Sequence, residues 1–221
     1  MDERTALIAE IEREMRDTAR WTEREHLSPR VKAALAKVRR AAFVPLDSAA
    51  AAYANVPLPI GHGQTISQPY IVALMTELLD LQPEHRVLEV GTGSGYQAAV
   101  LAELSNDVCS IEVIPELAEH ASLALAGEGY TRIALRTGDG GLGWPEREPF
   151  DAIIVTAAAS EIPPALIAQL RPGGRMVIPL GPRYGDQELV LLQKDAAGNV
   201  TLRNVLPVAF VPLTGGAAAK G

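Results

Sequence analysis

Three glycines at every second position, in the turn Gly91-Thr92-Gly93-Ser94-Gly95, are the first residues that could do chemistry. They follow the short run Val87-Leu88-Glu89-Val90 and precede a helical pattern from Tyr96 to Leu104. Strand, glycine turn and helix together let a ligand approach backbone N–H groups at a helix N-terminus. Glycines remove the Cβ atoms that would block this approach and tolerate φ > 0. A dinucleotide fingerprint is G-x-G-x-x-G, because a pyrophosphate must sit against the helix N-terminus. Here the third glycine falls one position early and Tyr96 stands where the last would be, which weighs against NAD or FAD. Glu112 closes the next apolar run, about 20 residues beyond Gly91, where a nucleotide-binding fold places its ribose acid. A carboxylate there accepts from both ribose hydroxyls in a charge-assisted pair. A third acid, Asp139, follows the strand after that, beside Gly140. Three acids at successive strand ends lie on the ligand-binding edge of an open α/β sheet.

The elements that position these groups follow from periodicity. Leu7, Ile8, Ile11 and Met15 recur at helical spacing and predict an amphipathic helix from about Asp2 to Arg20. Ser28 as N-cap and Pro29 at the first helical position open a second, with Val31, Leu35 and Val38 on one face. These helices form a cover or lid. The stretch Tyr53 to Gln68, with two prolines, two glycines and no sustained period, reads as a functional loop without elements of its own. Pro69 opens a helix over Tyr70–Leu79. Beyond the central strand come strands at Asp107–Val113, Thr131–Thr137 and Phe150–Thr156, with a helix from Pro115 to about Ala126. A helix at Pro164–Leu170 leads through the turn Arg171-Pro172-Gly173-Gly174 into a strand at Arg175–Leu180. Strands at Glu188–Gln193 and Val200–Leu206 flank the hairpin turn Ala196-Ala197-Gly198-Asn199. Strands alternating with helices predict a doubly wound, Rossmann-like α/β sheet with an N-terminal helical cover. The expected organisation is one domain over 1–221: a helical extension at 1–50, a loop at 51–69, and the sheet with its C-terminal strands at 70–221.

Composition narrows the function classes. With 48% hydrophobic and 21% charged residues, the 221-residue chain has enough apolar material for one sizeable core. A net charge of −7 argues against nucleic acid as the main partner, leaving only Arg24 and Arg39-Arg40 as a possible basic rim. The single Cys109 excludes an internal disulfide or multi-cysteine metal site and reads as a buried structural thiol. No apolar run approaches a membrane span, and the charged N-terminus has no signal-peptide core, so a cytoplasmic location is expected.

The G-x-G-x-G turn with Glu89 two residues ahead resembles motif I of class I S-adenosylmethionine methyltransferases. The wider chain closely resembles protein-L-isoaspartate O-methyltransferases, through Phe43-Val44-Pro45, LPIGHGQTISQPYIVALMTELL (58–79), VLEVGTGSGYQAAVLAEL, GDGGLGWPEREPFDAIIVTAAA, QLRPGGRMVIPLG and the terminal FVPLT. The resemblance implies adenosylmethionine as cofactor and adenosylhomocysteine as product, held by Glu89, Gly91, Thr92, Gly93, Ser94, Gly95, Glu112, Val113, Asp139, Gly140 and Thr214. Glu89 would help hold the methionyl amino group, and Asp139-Gly140 would contact the adenine. It also implies an isoaspartyl α-carboxylate as methyl acceptor, with Ser67 as the active-site residue and His62, Gln64, Thr65 and Ile66 lining the acceptor site. On residue geometry alone, Ser67 is a cap for the helix that Pro69 opens. His62 is not needed as a base, because a carboxylate of pKa about 4 is already ionised at pH 7. No metal, nucleophile or triad is apparent. Asn55 stands where the family often has aspartate, so no ionic role is expected there, and Trp144 is expected to anchor packing. The implied protein is a monomeric repair enzyme acting on isoaspartyl proteins and peptides, without nucleic acid or membrane. Two other readings are a relative that methylates ordinary Asp in a dedicated peptide precursor and a non-catalytic module retaining the cofactor fold.

Overall fold

The computed structural model describes residues 2–182 and 185–215. Two helices lead, α1 (Glu3–Thr22) and α2 (Pro29–Lys37), followed by 3-10 turns at Arg40–Phe43 and Leu46–Ala51. Asp2 caps α1 by accepting the Thr5 N–H, and Ser28 caps α2 through Val31 N–H. A hairpin of β1 (Leu58–Gly61) and β2 (Gln64–Ile66) precedes α3 (Pro69–Leu79). The remaining elements are β3 (Arg86–Val90), α4 (Tyr96–Ala102), β4 (Asp107–Glu112), α5 (Pro115–Gly127), β5 (Ala134–Thr137), β6 (Phe150–Val155), α6 (Pro164–Gln169), β7 (Leu170–Leu180), β8 (Gln187–Lys194) and β9 (Val200–Val208).

The seven-stranded sheet runs β5-β4-β3-β6-β7-β8-β9. Its first five strands are parallel, and β8 and β9 extend it antiparallel. The sheet is therefore mixed: the Rossmann-like expectation holds for the parallel part, and the two last strands form a meander. The central strands are apolar on both faces because both are covered. Val87, Ala152, Ile154 and Val177 pack into a core shared with α1 to α4, including Met15, Leu35, Leu74 and Leu101. Leu88, Val90, Ile153, Val155 and Met176 pack on the opposite face with Leu166 of α6. The N-terminal helices are thus part of the main core. Thr18 on α1 shares a 2.6 Å hydrogen bond with the Tyr70 hydroxyl on α3, and Arg30 on α2 donates to Leu104 O at 2.8 Å.

Several boundaries differ from the sequence reading. The stretch 53–68 contains the β1–β2 hairpin, with the pairs Leu58↔Ile66 and Pro59↔Thr65. Its strands are too short to show a period, and the tip is turned by Gly61, His62 and Gly63, all at positive φ. The segment Leu170–Gly174 belongs to β7, because the strand passes its proline and glycines through a register shift opposite Phe150. A Cβ on Gly174 would come within 2.9 Å of both Arg171 O and Asp151 O, which explains the glycine. β5 begins only at Ala134, and α4 ends at Ala102, two residues before Leu104.

Candidate active site

The parallel strands place the site. From β3 the chain moves outward to β4 and β5, then returns to β6 on the other side of β3. The crevice at the carboxyl ends of β3, β4 and β6 is therefore the topological switch point, where open α/β sheets bind ligands. The glycine turn closes β3 here. Gly91 N–H and Thr92 N–H both donate to Ile111 O, at 2.8 and 3.2 Å. Gly91 has φ +97°, and a Cβ on it would lie 2.4 Å from Thr156 Oγ1. That hydroxyl donates to Gly91 O at 2.6 Å and reaches Val90 O at 3.1 Å, tying the turn to the end of β6. Gly95 serves a different need: a Cβ there would press to 3.1 Å from Leu125 on α5. It lets the helices close up and does not line the cleft. The cleft is lined by Gly91, Thr92, Gly93, Ser94, Glu112, Val113, Gly140 and Thr214, and by Gln64 to Ser67.

The three acids separate in depth. Glu112, 5% exposed, accepts Gly93 N–H at 2.8 Å on Oε2 and the N–H groups of Val113 and Ile114 at 3.0 Å on Oε1. A carboxylate has about four lone-pair sites, and three are filled, so one remains on Oε2 for a hydroxyl donor in the cleft. Glu89 is fully buried and outside the cleft wall. It shares the face of Val87, beneath the turn, where Ser110 Oγ donates to its Oε2. The Thr92 hydroxyl in turn contacts Ser110 Oγ at 2.6 Å, so Glu89 reaches the cleft through two hydroxyls. Among the described residues its second oxygen has no partner, and burial pushes its pKa up to about 8. Asp139 also lies behind the wall, accepting the Gly141 N–H at 2.9 Å. Gly215 closes over it, since a Cβ there would meet Asp139 Oδ1 at 2.3 Å.

A second pocket adjoins the first, lined by Glu14, Pro57, Gln68, Tyr70, Ile71 and the segment Leu206–Val211. Thr65, Ser67, Thr156 and Val211 line both, so they form the shared wall. Ser67 does not cap α3. Asn55 takes that task, its Oδ1 accepting Tyr70 N–H at 2.9 Å while its Nδ2 donates to Glu14 at 2.7 Å. Glu14 explains why an amide and not a carboxylate stands at 55: an aspartate there would face another acid. Among the described residues the Ser67 hydroxyl has no hydrogen-bond partner. Gln64, Thr65 and Ile66 join Ser67 at the wall, but His62 sits exposed at the hairpin tip, outside both pockets. The hairpin turn projects it into solvent.

The sequence reading missed Thr156 and the segment Val211-Pro212-Leu213. The segment returns along the end of β6, with Ala158 N–H on Val211 O at 2.8 Å and Leu213 N–H on Ala158 O at 2.7 Å. The Gln187 amide clamps its start, donating to Phe210 O and accepting Phe210 N–H. The signal was present in FVPLT, an apolar stretch beyond the last strand pattern, and in Thr156 as the polar end of an apolar strand. The basic rim does not form. Arg40 is fully buried 5.0 Å from the Tyr96 ring, its pKa lowered to about 10 by burial, and Arg39 pairs with Glu128. Cys109 is buried in β4 as expected, and Trp144 packs against the α6 side of the core.

A sequence profile described as Protein-L-isoaspartate(D-aspartate) O-methyltransferase (PCMT) matches residues 15–218. A protein-L-isoaspartate O-methyltransferase 2 of Syntrophobacter fumaroxidans is 55% identical over 96% of this chain and 86% of that protein. One of Polaromonas sp. is 55% identical over 97% of this chain and 99% of that protein. A solved protein-L-isoaspartate O-methyltransferase superposes with a TM-score of 0.82 over 97% of this chain and 67% of that one, at 27% identity. A Plasmodium falciparum beta-aspartate methyltransferase, solved with S-adenosyl-L-homocysteine bound, shares the fold at a TM-score of 0.80 and 24% identity, over 97% and 99% of the two chains.

Proposed function

The chain belongs to the protein-L-isoaspartate (D-aspartate) O-methyltransferase family, and from that premise we propose that it methylates the free α-carboxylate of isoaspartyl residues in damaged proteins and peptides, starting their repair. The observation that carries this reading is the wall shared by two pockets, with an unpartnered Ser67 hydroxyl in it. One pocket has the glycine turn and Glu112, which offers an acceptor-only carboxylate to a ribose hydroxyl, as adenosylmethionine requires. The other opens between the hairpin, α1 and the C-terminal segment and has room for a peptide. When bound, adenosylmethionine supplies a sulfonium methyl group as electrophile.

Every other task falls to the chain's own groups. The acceptor carboxylate is ionised near pH 7, so no base is needed, consistent with His62 lying outside the pockets. Ser67 donates to one carboxylate oxygen and aims the other through the wall. Thr65 and Ile66, beside it on β2, fix the approach, and the apolar Val211–Leu213 segment keeps water out. Catalysis is then alignment and desolvation of a charged nucleophile. Glu89 supports the turn through Ser110 and Thr92, and Asp139 holds Gly141 beside Gly140, which would contact the adenine.

The same reading treats 1–221 as a single methyltransferase domain working as a cytoplasmic monomer, without nucleic acid or membrane. Its net charge of −7 supports the absence of a nucleic-acid partner, and among the described residues no helix is long and apolar enough to cross a membrane. Incubation with methyl-labelled adenosylmethionine and peptides differing only in isoAsp versus Asp tests the reaction. Base-labile label on the isoAsp peptide alone is expected. Label on ordinary Asp would replace repair by peptide tailoring, and no label on either would leave a non-catalytic module.

A further inference from the structure

Among the described residues, Glu14 is the one formally charged residue lining the acceptor pocket, and it comes from α1, more than fifty positions before Ser67. Its carboxylate is half-buried and held by amides alone: Asn55 Nδ2 at 2.7 Å, and Gln68 Nε2 at 3.4 and 3.5 Å. No Lys, Arg or His pairs with it among the described residues, and the charges that act on it from α1, Glu10 and Asp17, are also negative. Burial raises its pKa from the ordinary carboxylate range, the mark of a charge partly removed from water without a cation to offset it. The long contacts from Gln68 leave acceptor capacity on a carboxylate that lines the pocket.

Two negative carboxylates do not share one end of a pocket. The acceptor carboxylate therefore takes the Ser67 end, and the polypeptide beside it crosses the wall that holds Glu14. The rest of that wall is largely apolar, from Pro57, Ile71 and Leu206 to Val211, and supplies contact area without sign preference. We infer that Glu14, seated on Asn55 and Gln68, is a charge-selective subsite that takes a basic side chain flanking the methyl acceptor and rejects an acidic one. The inference rests on the second pocket being the acceptor pocket. It gives α1 a role in specificity as well as packing, and it makes Asn55 a positioning residue that orients the subsite while capping α3.

The test uses three isoaspartyl peptides alike except for Lys, Ala or Glu on each side of the acceptor, with the wild-type protein and Glu14→Gln. The glutamine keeps the shape and removes the charge. For the wild type, kcat/KM is expected to favour the Lys over the Glu peptide by roughly tenfold, carried mainly by KM, since one charge acts with opposite sign on the two. In Glu14→Gln the ratio, normalised to each enzyme's own rate on the Ala peptide, should fall to within about twofold. Raising the salt from about 0.05 to 0.5 M should compress the wild-type ratio as well, a readout that does not depend on the variant folding. A wild-type ratio near one, or a ratio unchanged in Glu14→Gln, overturns the subsite while leaving isoaspartyl methylation standing. Failure of the wild type to methylate even the Ala peptide overturns the acceptor reading, and the subsite with it.

Discussion

Glu89 is buried, bonded to one hydroxyl and left with an empty second oxygen, so its protonation should be visible in the stability of the protein without cofactor. Burial holds its pKa at about 8 against an ordinary 4.5. The folded state therefore keeps the proton over a range in which the unfolded chain has released it. The sign follows from linkage: the contribution to stability is complete below about pH 4.5 and is lost as pH rises to about 8, after which it is level. At about 1.4 kcal/mol per pH unit over that window, the ceiling is about 5 kcal/mol. Glu89→Gln retains an acceptor for Ser110 and cannot ionise, so it should lack this slope. Urea unfolding of both proteins at pH 5, 6, 7, 8 and 9 measures it. The free-energy difference between variant and wild type should move in favour of the variant by up to about 1.4 kcal/mol per pH unit and level off above about pH 8. A difference that stays constant from pH 5 to 8 would mean that Glu89 is ionised in the folded state, and would refute the reasoning.

Asn55→Asp places a second carboxylate where Nδ2 now meets Glu14 at 2.7 Å, and should cost about 1–2 kcal/mol of unfolding free energy at pH 7. Most of that loss should vanish in a Glu14→Gln background, which a double-mutant cycle in urea reads directly; an additive pair would remove the charge explanation. Gly91→Ala would drive a Cβ to 2.4 Å from Thr156 Oγ1 at a φ of +97°, and should cost about 1–3 kcal/mol with a parallel loss of adenosylhomocysteine affinity by calorimetry. Retention of both would mean that the turn is free of Thr156.

The parts visible in the sequence are those written in consecutive residues. β3, β4 and β6 are buried on both faces and so read as apolar runs, and the cleft lies where their order reverses. The glycine turn and the loop ending at Ser67 were legible as ordered motifs. What could not be read comes from folding over distance. Glu14 looks like one more acid on the polar side of an amphipathic helix, and only packing of α1 on α3 brings it to Asn55. The β1–β2 hairpin has three or four residues per strand and turns at positive φ, so its prolines and glycines hide the pairing. Spacing placed Glu89, Glu112 and Asp139 along one sheet edge, but pleat and turn geometry decide that Glu112 lines the cleft while the other two brace it. His62 sits in the motif but at its tip, and Arg40 sits in a basic pair but inside the core.

The central claim is that Ser67 stands in a wall between a cofactor cleft and an acceptor pocket, and acts on the acceptor alone. Ser67→Ala, measured for turnover on an isoaspartyl peptide and for adenosylhomocysteine Kd by calorimetry, tests it most directly. The account predicts a fall in kcat of roughly 10- to 100-fold, the size of one lost charge-assisted hydrogen bond, with Kd within about twofold. An unchanged kcat, or a Kd that rises in step with the loss of turnover, would contradict it.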